Sequence, residues 1–246
     1  MTNHLKYGKI ILQVVENSLH FHIISVYSDM QKGGCIMNGN TRSTADWKKW
    51  YNGAKDEEKE IYNLICEYKN YFNDLTLQED SCTFTIFENK SKLNIQVFFD
   101  NLVVHVEEFK NPEFLACYSP EDHIITVSPL VKTEEIKFCI LHEMIHIFDK
   151  VYDRINVYGV RDAVRWRLYY DLREKINGLD QAIFDFTKII SLMTINRSPE
   201  NPRVFRQRHD TLFLLKSFDL DMKMDYPFGT VLGYGYTDKF KYLEKN

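Results

Sequence analysis

Apolar and polar positions divide this chain into a strand-rich first half and a helix-rich second half. Residues 9–27 cluster β-branched and aromatic side chains on either side of Glu16-Asn17-Ser18, which predicts two strands joined in a hairpin. "QKGGCIMNGNTRS" then reads as a loop. From about Ser43 to Asn73, Ile61, Leu64, Ile65, Tyr68 and Phe72 recur at helical spacing after possible Ser and Thr caps. One or two amphipathic helices are expected there, interrupted near Asn52-Gly53. "SCTFTIFE", "LNIQVFFD" and "LVVHVEEF" follow as three short apolar, β-branched runs separated by "NKSK" and "DN", the pattern of a meander.

"HIITVSPL", His123 to Leu130, predicts a further strand ending in Ser-Pro. Thr133-Glu134-Glu135 can cap a helix running to about Asp153. After the loop "RINVYGV", a second helix is expected over about Arg161 to Ile176, stopped by Asn177-Gly178, and a third from about Leu179 to Ile195. "NRSPENPR" marks a break, and the pattern assigns the tail from Arg203 no topology, so it is expected to be an accessory segment. The fold class predicted is α+β: a mainly antiparallel sheet packed by the helix over 133–153 and its successor. The organisation expected is an accessory segment over 1–55, a core over 56–178 and a helical accessory segment over 179–246.

Composition narrows the classes without choosing among them. The chain has 246 residues, of which 44% are hydrophobic, enough for a proper core. With 10 Gly and 6 Pro it does not resemble a disordered or linker-rich chain. A formal charge of −4 exerts no global pull toward nucleic acid or acidic membranes. The amino terminus shows no secretory leader, and no apolar run reaches membrane-spanning length, so a soluble, cytoplasmic protein is expected. Cys35, Cys66, Cys82, Cys117 and Cys139 are spread widely with no C-x-x-C pair, which predicts reduced, mostly buried thiols.

The chemistry concentrates in "LHEMIH". On a helix His142 and His146 lie four residues apart and face the same way, so two imidazoles can converge on one metal ion. Glu143 sits beside the first of them, placed to act as a general base on a metal-bound water, the arrangement of a zinc hydrolase. His20, His22, His105 and His123 lie in or beside strand patterns and read as ordinary core-edge or solvent-facing residues.

"ACYSPEDHIITVSPLVKTEEIKFCILHEMIH", Ala116 to His146, resembles the core of SprT-like zinc metalloproteases, a zincin-like fold of the gluzincin type. The resemblance implies Zn²⁺ as cofactor, His142 and His146 as ligands, Glu143 as catalytic base and a protein or peptide as substrate. In that family a loop leads to His-Gly-x-x-Phe, whose histidine is the third ligand; here Asp162-Ala163-Val164-Arg165-Trp166 stands in the corresponding place. Asp162 is therefore the expected third ligand, with Asp153, two turns beyond His146, as its main rival. Asp171 or Glu174 would suit an acid on the following helix, while Asp149 would face near the site but too far along the axis. No histidine follows His146 until His209. Tyr158 is a candidate donor to a developing oxyanion.

Many members of that family carry a cysteine zinc ribbon after the protease core, but no cysteine follows Cys139, which lowers the weight of a nucleic-acid partner. Arg161, Arg165, Arg167, Arg197, Arg203, Arg206 and Arg208 read as a solvated face among interspersed acids. The expected activity is zinc-dependent endopeptidase. Two alternatives stand beside it: a non-catalytic protein-binding module on a degenerate zincin fold, and a protease effector acting on a protein of another cell.

Overall fold

In the computed structural model, residues 44–75, 99–112, 114–154, 160–197, 209–233 and 235–246 are described. The break expected at Asn52-Gly53 separates helix α1 (Thr44–Gly53) from helix α2 (Asp56–Tyr68). Three acids, Asp56, Glu57 and Glu58, open α2 where the helix dipole favours negative charge. Glu58 is buried and spans two elements: one carboxylate oxygen accepts from the Lys55 amide at 2.9 Å, the other from the Val106 amide at 3.3 Å. Ile61, Ile65 and Tyr68 form the buried stripe of α2, and a 3₁₀ segment, Lys69–Leu75, carries Phe72 into the same core.

Strands β1 (Val103–Val106), β2 (Ala116–Ser119) and β3 (Ile124–Val127) form one sheet in the order β1-β3-β2. β2 and β3 pair antiparallel, whereas β1 pairs with β3 in parallel, so among the described residues this sheet is mixed where a mainly antiparallel one is expected. The chain reverses twice between β1 and β3, once into β2 and once out of it, and so returns to the direction of β1. Two of the three expected meander strands and the amino-terminal hairpin lie outside the described residues.

Helix α3 (Thr133–Arg154) is the centre of the molecule. Ile140, Leu141, Met144, Ile145, Ile147 and Phe148 are buried on it. It packs against α2, β2, helix α4 (Val160–Arg173) and helix α6 (Thr211–Lys223). The helix expected to reach Ile176 ends earlier: α4 stops at Arg173, and β4 (Ile176–Asn177) pairs antiparallel with β5 (Glu244–Lys245). Gly178, at a φ of 86°, turns the chain into helix α5 (Leu179–Arg197).

The tail lies in the core instead of forming an appendage. On α6, Leu212, Phe213, Leu214, Leu215, Phe218 and Leu220 are fully buried, each burial stabilising by about 1.5–3 kcal/mol. Fully buried Lys216 on the same helix donates to the Tyr71 carbonyl at 3.0 Å, pairs with Asp219 and lies over the Phe72 ring at 4.8 Å. One hydrophobic cluster joins side chains from α2 through the short helix α7 (Thr237–Phe240), on both sides of residue 178. Among the described residues no helix is long and apolar enough to cross a membrane.

Candidate metal centre

The helical register of α3 brings His142 and His146 to one face, with ring centroids 5.1 Å apart. The third imidazole comes from the tail. His209, immediately before the N-cap of α6, stands 5.3 Å from His142 and 4.9 Å from His146, centroid to centroid. One nitrogen from each of the three rings lies within 4.8 Å of the other two. Phe213, one turn into α6, packs 4.8 Å from each ring and supplies an apolar floor.

Local hydrogen bonds prepare the set for a cation. His142 Nδ1 donates to the Val231 carbonyl at 3.0 Å, which fixes the tautomer and turns the Nε2 lone pair toward the cluster. That Nε2 lies 3.3 Å from His209 Nε2. Two nitrogens at about 2.0–2.1 Å from a tetrahedral ion stand about 3.3 Å apart, so this pair matches the spacing such an ion requires. Burial pushes the His142 pKa down to about 4, against the raising effect of the Val231 and Leu232 carbonyls, so the ring is neutral and able to ligate at neutral pH. The fold gives up the stability associated with that neutral ring as the pH falls from 6.5 toward 4. Imidazole ligands suit zinc, copper, iron or nickel and not calcium or magnesium.

The residues around the cluster hold it in place. The loop presenting Val231 is pinned by buried Asp221, which accepts from the Gly229 amide at 2.8 Å and the Val231 amide at 2.9 Å. Gly229 sits at a φ of 92°, and a Cβ there would meet the Tyr236 backbone at 2.8 Å, so only glycine fits. Glu143 is buried, and its Oε2 accepts from the Tyr118 amide on β2 at 2.7 Å. Burial, then the neighbouring Glu143 and Glu135, push the Cys139 thiol up to about 12, which keeps it protonated and inert.

Comparisons of this chain with protein-family models, with curated proteins and with solved structures find no match.

Of the residues expected to act, His142 and His146 belong to the cluster, and Glu143, next to His142 in the chain, is buried with its carboxylate on the Tyr118 amide. Asp162 does not join them: it is exposed in the first turn of α4 and forms an ion pair with Arg165 at 3.0 Å. Asp171 and Glu174 are exposed as well, near the far end of α4. Asp149 is buried next to the site but engaged by Arg161 Nη2, at 3.1 Å from each carboxylate oxygen. The Asp153 side chain and Tyr158 lie outside the described residues. His105 stands 3.5 Å from Glu58, and His123 is buried 3.1 Å from the Tyr118 hydroxyl, neither belonging to the cluster, while His20 and His22 lie outside the described residues.

His209 is the member that spacing missed. The available signal is "HDTLFLL", a histidine directly before an Asp that can cap an apolar helix. Asp210 does cap α6, accepting from the Leu212 amide at 2.9 Å and the Phe213 amide at 3.2 Å.

Proposed function

We propose that this chain is a zinc-dependent endopeptidase with a zincin-like core, in which His142, His146 and His209 hold the ion and Glu143 is the general base. The observation that supports this reading is the convergence of three imidazole nitrogens with a buried carboxylate one residue from the first of them. A bound Zn²⁺ supplies Lewis acidity, lowering the pKa of a water and polarising a substrate carbonyl. Glu143, oriented by the Tyr118 amide, accepts the proton of the attacking water and passes it to the leaving amine. The Val231 carbonyl keeps His142 in the tautomer that ligates through Nε2. Phe213 excludes water from one side of the cluster and lowers the local polarity.

The reading departs from the SprT-like pattern in one place. The third histidine comes from the end of the chain instead of from the helix following the metal-binding one, so the likeness to that family rests on residues 116–146.

Metal content by elemental mass spectrometry, combined with mass-spectrometric mapping of new amino termini in an unfolded protein substrate, tests both halves. About one zinc per chain is expected for the wild type and for Asp162→Ala, and little for a folded His209→Ala variant. Glu143→Gln should keep its zinc and lose cleavage by about 10²- to 10⁴-fold. Zinc without cleavage in the wild type would favour a non-catalytic binding module. A wild-type protein that takes up no zinc when the metal is added would overturn the proposal.

A further inference from the structure

Resting on the metal-centre reading, we propose that Arg161 is a positioning residue that locks the third imidazole, His209, to the helix bearing the other two. α3 sets the distance between His142 and His146 by its own backbone hydrogen bonds. Nothing so local sets the place of His209, because α4, α5 and the stretch before α6 intervene between it and His146. The register of His209 against α3 must come from packing and from bonds between elements.

Arg161, in the first turn of α4, forms such a bond. Its Nη2 donates to both oxygens of Asp149, three residues after His146 on α3, at 3.1 Å each. Its Nη1 pairs with Asp210 Oδ2, on the residue next to His209. The two arms of one guanidinium thus reach the helix of the first two ligands and the residue adjoining the third. A planar fork with fixed donor directions suits this task, because it fixes relative orientation as well as distance.

Asp210 divides its oxygens between two partners. Oδ1 accepts from the amides of Leu212 and Phe213 as the helix cap, and Oδ2 faces Arg161. The direction in which α6 leaves the site is therefore tied to α3 by this guanidinium as well as by direct packing. Asp149 is 6% exposed, so its attraction to Arg161 is shielded from solvent far more than that of a surface pair.

Cap and link can be separated by mutation. Asp210→Asn keeps a good N-cap while replacing the oxygen facing Arg161 with an amide that cannot accept from it. Arg161→Gln removes the fork from the other side.

The test measures zinc affinity by chelator competition and the visible spectrum of the cobalt-substituted protein, together with the melting curve of each metal-free variant. For both single variants, zinc affinity is expected to fall about 10- to 100-fold, with an altered cobalt spectrum, while cooperative melting of the metal-free protein is retained. The double variant is expected to be no weaker than the weaker single one, since both changes break the same link. If Arg161→Gln does not fold, Asp210→Asn alone decides. Affinity within about twofold of wild type in a folded variant, with an unchanged cobalt spectrum, would show that packing places His209 and would overturn this inference alone. A wild-type chain that binds no metal would overturn the metal centre and this inference with it.

Discussion

At the scale of the residue, the chemistry depends on side chains that never reach the cluster. Asp221 holds the Gly229 and Val231 amides, and Val231 in turn orients His142. Burial raises its pKa to about 7, although those amides pull the other way. An acid whose folded pKa exceeds its unfolded value of 3.8 stabilises the fold fully at low pH, and that contribution is lost as the pH rises toward 7. Carbon-detected NMR of the ¹³C-labelled protein should therefore show the Asp221 carboxyl titrating near 7, and a midpoint below 5 would refute its desolvation. Nothing in the residues around Asp221 announces this, because it sits on an apolar helix and meets its partners only after the following loop turns back. Asp162, by contrast, stood in the expected place in the sequence and found an ordinary surface partner in Arg165.

At the scale of the element, helical periodicity was the most reliable guide. The interruption between α1 and α2, the start of α3 at Thr133 and the start of α5 after Gly178 all stand where the pattern indicated. The parallel pairing of β1 with β3 was not legible, because alternation reports which face is buried and says nothing of which strand lies beside which. α6 was missed for a related reason: it is buried on nearly all sides, with Lys216, Ser217 and Asp221 among its buried residues, so it shows no amphipathic stripe. Phe213 measures how much that helix matters. Fully buried and in contact with all three imidazoles, it should cost about 3–5 kcal/mol when changed to Ala, read from urea unfolding of the metal-free protein. A loss below about 1 kcal/mol would mean that α6 is not part of the cooperative core.

At the scale of the whole molecule, the two ends of the described chain depend on each other. α6 supplies core side chains to α3 and α4, Lys216 reaches back to Tyr71, and β5 pairs with β4. A chain ending at Gly178 would expose that apolar surface and lack His209. It should show no cooperative thermal transition and bind no zinc beyond what two histidines can hold, as calorimetry and metal titration would reveal. A fragment with a sharp transition and tightly bound zinc would show that residues 179–246 are an accessory after all.

What can be read along the chain alone is local. His142 and His146 share one face of a helix because the α-helix repeats every 3.6 residues, a relation that needs no other part of the chain. The third imidazole, the parallel strand pair and the buried tail come from packing between segments far apart in the chain. Their distances depend on how intervening helices pack and on single long-range bonds such as those of Arg161, and such distances have no fixed spacing along a chain.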